Sequence, residues 1–318
     1  MLLNLLLLLA GFIVLIKGAD FMVSGASSLA KKMKISALVI GLTVVAFGTS
    51  APELTVNIIN SYQGRNDAIF GNIIGSNIFN ILFILGVTGL VYPLSVQKNS
   101  VKYEVPFSLI AIIVLWLLVN DIHLWKESNN ILTRNDSIIL LVGFCVFLLY
   151  IYKTMKKESP EDEPIKDYNV TISVSLVALG IAMLVGGGYL VTENAASIAT
   201  SLGLSQKLIG LTILAVGTSL PELATSVVAA YKRSTDIAIG NVIGSNIFNI
   251  FLITGLSGFI NPIEYNPILN EDILILGLGT VILLISMFTL SRNKVDRWEA
   301  FIFLCVYVGY TIYLIIRN

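Results

Sequence analysis

Long apolar runs alternate with short polar breaks along the whole chain. A helix needs about 20 mainly apolar residues to cross the hydrocarbon core of a bilayer. Ten runs meet that length, at roughly 2–22, 36–60, 68–92, 104–120, 137–153, 171–192, 206–230, 237–261, 271–290 and 298–316. The run that opens the chain, MLLNLLLLLAGFIVLI, lacks a basic leader and is followed by further spans, so it is expected to be a first span and not a cleaved signal. One stretch, KTMKKESPEDEPIKDYN at 153–169, carries charge runs of both signs and two prolines, as a solvated linker should. It leaves five spans on either side. Five is odd, so the second half must enter the membrane from the opposite face. The predicted fold is an all-α integral membrane protein of ten transmembrane helices, arranged as two inverted five-helix repeats. Its parts are a first repeat at 1–153, a linker at 154–169 and a second, inverted repeat at 170–318.

Composition supports the membrane assignment. Only 13% of the 318 residues are charged and 56% are hydrophobic, against about 25% charged in a soluble domain. The net charge is zero, which gives no footing for nucleic-acid binding. Lysine and arginine are unevenly shared between the two sets of connections. Fourteen lie on one side: Lys31, Lys32, Lys34, Lys98, Lys102, Lys153, Lys156, Lys157, Lys166, Lys232, Arg233, Arg292, Lys294 and Arg297. Five lie on the other: Arg65, Lys126, Arg134, Lys207 and Arg317. The rich side is expected to be cytoplasmic. A multi-pass protein of the cell membrane results, with both termini outside and the linker 154–169 inside. Cys145 and Cys305 sit apart in apolar runs and read as small packing residues. With His123 as the single histidine, in a polar loop, a transition-metal site is not expected.

Within this frame one unit occurs twice. AFGTSAPEL at 46–54 returns as AVGTSLPEL at 215–223, and GNIIGSNIFNI at 71–81 returns as GNVIGSNIFNI at 240–250. Without a gap, 27 of 54 positions are identical between 40–93 and 209–262. Each copy buries a glutamate, Glu53 or Glu222, at mid-span. A carboxylate there costs roughly 2.5–3.5 kcal/mol on insertion scales, so two at equivalent places point to one shared binding site. Pro52 and Pro221 lack the N–H that a helix would use, which is expected to break helices 2 and 7 and to free nearby carbonyls. A broken helix in a bilayer is tolerated where it is buried in protein or lines a cavity. Thr49 and Ser50 lie four and three residues before Glu53, and Thr218 and Ser219 stand likewise to Glu222, so their oxygens can share a face. The second block sets a polar stripe at every fourth residue: Asn72, Ser76 and Asn80, repeated as Asn241, Ser245 and Asn249. Interhelical hydrogen bonding is the alternative reading of Asn72 and Asn241. Asp67 and Asp236 are expected to serve the helix N-termini.

Every candidate donor is oxygen, which suits hard cations such as calcium or sodium. Two carboxylates balance one divalent ion. Calcium accepts about 6–8 oxygens in irregular geometry, whereas magnesium prefers to keep its water. Two uncompensated carboxylates repel each other, which brings in protons as competitors or counter-substrates.

The G-T-S-x-P-E and G-N-x-x-G-S-N-x-x-N blocks, each present twice, resemble the two alpha-repeat motifs of the sodium/calcium exchanger superfamily, and the chain is most similar to its compact prokaryotic members. The resemblance implies alternating access, with calcium moving against sodium and no cofactor. It implies ligands at Ala46, Thr49, Ser50, Glu53, Ser76 and Asn80, and at Ala215, Thr218, Ser219, Glu222, Ser245 and Asn249, the alanines through main-chain carbonyls. It implies that the first and sixth spans slide across the core as gates, and Gly11, Gly18, Gly25 and Gly186 to Gly188 would fit a sliding surface, though ordinary close packing explains them too. Several relatives, potassium-dependent exchangers among them, carry an acid where this chain has Asn249, which argues against potassium co-transport.

The leading expectation is therefore a secondary antiporter, electrogenic and exporting calcium, that works in the lipid bilayer without requiring an oligomer. The alternative is a Ca2+/H+ antiporter using the same two glutamates. A channel would have no need of two inverted broken-helix blocks. An intramembrane enzyme would need a base near Ser50 or Ser219, and the core spans hold no histidine or lysine.

Overall fold

The computed structural model describes residues 1–95, 100–122, 129–154, 168–203, 215–289 and 294–317. Among the described residues eight helices are long and apolar enough to cross a bilayer: α1 (Leu2–Met33), α4 (Asn66–Val91), α5 (Lys102–Val119), α6 (Arg134–Thr154), α7 (Val170–Ser201), α9 (Thr235–Ile260), α10 (Pro267–Ser286) and α11 (Arg297–Arg317). Another span is broken into α2 (Ala37–Thr49) and α3 (Ala51–Tyr62), which meet at 48°. The seventh predicted span is described from residue 215, as a turn of helix at Ala215–Gly217 and then α8 (Leu220–Tyr231). Its first part, most of the predicted linker 154–169 and His123 lie outside the described residues.

The breaks fall where the prolines require them. Ser50 (φ −80°, ψ 8°) and Ser219 (φ −92°, ψ 7°) leave helical geometry, and Pro52 and Pro221 occupy the first turn of the helix that follows. At that position the missing N–H removes no helical hydrogen bond.

The repeat relation seen in the sequence holds in space. Helices α3 and α8 match at an offset of 169 residues, as do π-helical stretches at Phe79–Ile84 in α4 and Phe248–Ile253 in α9. Two short strand pairs tie one repeat to the other at the helix ends. Strand β1 (Leu94–Ser95) pairs antiparallel with β4 (Lys294–Val295), and β2 (Ile131–Leu132) with β3 (Ile263–Glu264). The centre belongs to α4 and α9, whose apolar stretches are 78% and 94% buried, while none of the other six unbroken helices exceeds 39%.

Two helices are much longer than the bilayer is thick. At 32 residues each, α1 and α7 measure about 48 Å against a hydrocarbon core of about 30 Å, so they tilt within it or project beyond it. They run antiparallel in backbone contact along a seam of small residues spaced by seven. A Cβ on Gly18 would come within 3.0 Å of Gly180 O, one on Gly187 within 3.0 Å of Gly11 O, and one on Gly25 within 2.7 Å of Ser173 O. The glycines that the sequence suggested as a surface sliding on the core thus mostly bind the two long helices to each other. Gly188 alone faces the core, 3.8 Å from Gly217 O and against Pro221. Lys232, just after α8, pins α1 by an ion pair to Asp20 (2.6 Å) and a hydrogen bond to Ser24 (2.7 Å).

Equivalent glycines of the two core helices have opposite surroundings. A Cβ on Gly240 would lie 2.8 Å from Leu38 O and 2.9 Å from Leu42 N, whereas one on Gly71 would meet nothing within 4 Å. Gly240→Ala is therefore expected to destabilise the protein by about 1–3 kcal/mol. Gly71→Ala should stay within about 0.5 kcal/mol of the parent. Thermal unfolding of both variants in the same detergent checks this, and equal losses would contradict it.

Candidate ion-binding site

Glu53 and Glu222 open α3 and α8, each in the first helical turn after a break. There the partial positive charge of the helix N-terminus faces the carboxylate. Both side chains are about 1% exposed. Each is gripped by the serine of the other repeat: Ser50 Oγ donates to Glu222 Oε1 and Ser219 Oγ donates to Glu53 Oε1, both at 2.9 Å. Ser245 adds a longer bond to Glu222 Oε1 at 3.4 Å. Because each serine hydrogen is spent on a carboxylate, the serine oxygens keep lone pairs for another partner.

The polar stripe of α4 and α9 faces these helices. Thr49 Oγ1 donates to Asn241 Oδ1 (2.9 Å) and lies 3.5 Å from Ser245 Oγ. Asn72 Nδ2 instead donates to Thr218 Oγ1 (3.3 Å), so corresponding pairs use the threonine in opposite senses. Asn72 and Asn241 thus act as interhelical hydrogen-bonding residues around the glutamate helices. Asn57 Nδ2 donates to Glu53 O and Asn72 Oδ1, and Asn241 Nδ2 donates to Glu222 O and Ser226 Oγ. Asn57 and Ser226 are 169 residues apart and four residues after their glutamates, a spacing that could have found them.

Five buried oxygens of the two repeated blocks find no hydrogen-bond partner among the described residues: Glu53 Oε2, Glu222 Oε2, Asn80 Oδ1, Asn249 Oδ1 and Ser76 Oγ. An unpaired acceptor in a low-dielectric interior costs about 1–3 kcal/mol, more if charged. Such a set belonging to the two repeated blocks is the donor chemistry of a hard-cation site. No group of three or more His, Cys, Asp or Glu side chains able to hold a metal occurs among the described residues, so two carboxylates and neutral oxygens are what these blocks offer.

The alanines differ. Ala46 O already accepts the Ser50 N–H (3.0 Å) and lies 3.3 Å from Thr49 Oγ1, while in the second copy Ser219 N–H turns to Val216 O (3.1 Å). Ala215 contributes backbone to the short turn before the break, and its side chain is outside the description. Asp67 and Asp236 lie in the first turns of α4 and α9. The N-cap positions themselves are Arg65 and Ser234, neither making a side-chain cap bond, so charge near the helix end replaces side-chain capping.

A cavity of about 1030 Å³ reaches the site from one face and is lined there by Pro52, Asn72, Ser76 and Thr218, and farther out by Asp67 and Arg317. On the equivalent path of the second repeat, Gly240, Asn241 and Gly244 are buried beneath Leu38, Leu42 and Ala46. Identical residues are thus open in one copy and sealed in the other.

The sodium/calcium exchanger protein family profile matches residues 3–153 and 172–316. The chain belongs to the sodium/calcium exchanger family. It is 37% identical over 98% of both chains to a putative antiporter, CaxA, of Alkalimonas amylolytica. It is 32% identical, again over 98% of both chains, to the sodium/calcium exchanger MaX1 of Methanosarcina acetivorans. The sodium-calcium exchanger NCX_Mj, in a structure obtained with zero Na+ and Ca2+, superposes with a TM-score of 0.83 at 30% identity, over 98% of this chain and 99% of that one. The members of this family are transporters, not enzymes, and this member of the sodium/calcium exchanger family is a multi-pass cation/Ca2+ antiporter built on inverted repeats.

The cross-repeat serine bonds offer a direct check on the geometry. Ser219→Ala leaves Glu53 without its cross-repeat donor. The expected loss is about 1–3 kcal/mol, read as a lowered unfolding midpoint in detergent. An unchanged midpoint would show that the bond contributes nothing.

Proposed function

We propose that the protein exchanges Na+ for Ca2+ at one site between the repeats, with Glu53 and Glu222 as the charged ligands. Thr49, Ser50, Ser76, Asn80 and the carbonyl of Ala46 complete it from the first repeat. Thr218, Ser219, Ser245, Asn249 and the carbonyl of Ala215 complete it from the second. The observation that carries this reading is the set of buried, unpartnered oxygens on Glu53, Glu222, Asn80, Asn249 and Ser76. Two carboxylates match one divalent charge, and the neutral oxygens more than cover the about 6–8 ligands that calcium takes, which leaves others for sodium.

The one-sided cavity supports alternating access. A cation enters along Asn72 and Ser76, while α2 seals the other path over Gly240 and Gly244. Release to the opposite side requires the seal to pass from Gly240 and Gly244 to Gly71 and Gly75, which the repeat relation makes their counterparts. The lysine and arginine bias supports an open face outside, both termini outside and the linker 154–169 between the repeats 1–153 and 170–318 in the cytoplasm of a cell-membrane protein. More than two sodium ions per calcium make transport electrogenic. The membrane potential then drives calcium export at about 2.3 kcal/mol per charge per 100 mV.

Liposomes loaded with sodium and holding the purified protein are expected to take up calcium when diluted into sodium-free buffer. Glu53→Gln and Glu222→Gln should reduce that uptake to background while the variants still purify as folded protein. Uptake that follows a pH gradient and ignores sodium would replace this reading with Ca2+/H+ antiport. Full activity in both glutamine variants would remove the site.

A further inference from the structure

Four buried asparagines sit where α4 and α9 cross, and two of them have no place in the ligand set. Asn77 and Asn246 are fully buried, Asn80 and Asn249 about 1% exposed. Their amides form a closed pattern. Asn77 Nδ2 donates to the backbone carbonyl of Asn246, and Asn246 Nδ2 to that of Asn77, both at 3.3 Å. Asn80 Nδ2 donates to Asn246 Oδ1, and Asn249 Nδ2 to Asn77 Oδ1, both at 2.9 Å.

The order of dependence in this pattern is fixed by chemistry. A backbone carbonyl can only accept, so the amide next to it must present its nitrogen. Asn77 and Asn246 therefore have no choice of orientation. Their Oδ1 atoms must point the other way, toward Asn249 and Asn80. An oxygen there can be met only by a nitrogen, so Asn80 and Asn249 turn their NH2 groups to it and their Oδ1 atoms away. Those two Oδ1 atoms are the ones left unpartnered in the site. Turned the other way, each amide would present N–H dipoles to a cation and repel it.

We infer that Asn77 and Asn246 are positioning residues for cation recognition, acting by fixing the amide orientation of Asn249 and Asn80. This rests on the site proposed above. Each relay begins at a backbone carbonyl, which survives any substitution of its own side chain. Replacing Asn246 therefore disables the Asn80 branch and leaves the acceptor for Asn77 in place.

A double-mutant cycle tests it, read as the apparent Ca2+ affinity of sodium-driven uptake into liposomes. Asn80→Ala and Asn246→Ala should each weaken that affinity by about tenfold. With Asn80 already gone there is no amide to orient, so adding Asn246→Ala should change the affinity by less than about twofold. A double variant weakened by the product of the single effects would overturn the relay and leave Asn246 a packing residue. If Asn246→Ala does not fold, Asn246→Ser enters the same cycle, and Asn77 with Asn249 repeats it on the mirror branch. Glu53→Gln in the same series separates the two failures. If it transports, the site itself is wrong; if it is inactive while the cycle is multiplicative, the relay alone is wrong.

Discussion

Two carboxylates withdrawn from water in the middle of a membrane protein are the constraint from which the rest of the structure follows. Each must be met by oriented dipoles, and each is met by the other half of the chain. The serine of one helix break donates to the glutamate of the opposite break, so neither repeat can build its half of the site alone. The breaks put the glutamates at helix N-termini, and α4 and α9 wrap them in amides and hydroxyls. Only a centre held from both sides in this way leaves charged oxygens unpaired without the surroundings collapsing onto them.

Symmetry and its violation have separate roles here. Two sets of bonds are reciprocal between the repeats: Ser50 with Glu222 and Ser219 with Glu53, and Asn80 with Asn246 and Asn249 with Asn77. A few residues away the correspondence fails. Asn72 lines an open cavity while Asn241 is buried. The same sequence thus takes part in two environments within one molecule. Such a difference cannot arise from local preference, since GNxIGSNIFNI occurs at both places, and so it reflects how neighbouring helices are placed.

Much of this was legible before any coordinates. The 169-residue offset, the odd number of spans per half and the glutamates at mid-span located the centre, because burying a charge in lipid is costly enough to leave a clear mark. The break at Ser50 followed from Pro52. Other features were hidden for physical reasons. Asn77 and Asn246 were passed over because attention to a spacing of four residues selects one helix face, and they stand one residue beyond Ser76 and Ser245. For Gly18 and Gly187 a sliding surface and ordinary close packing are both legible, because a small residue announces close approach without naming what approaches; the structure shows close packing of α1 on α7. Asymmetry between the copies left no trace, since identical residues cannot encode different neighbours.

The seam between α1 and α7 bears on leakage. Along it backbone touches backbone, at Gly18 and Gly180 and again at Gly11 and Gly187. Two helices fused in this way have little freedom to shift independently, so they move as one body. In the exchange cycle proposed above, withdrawing either one alone to open a leak would mean prising apart this backbone-to-backbone contact. Resistance to short-circuiting would thus be written into a row of missing side chains.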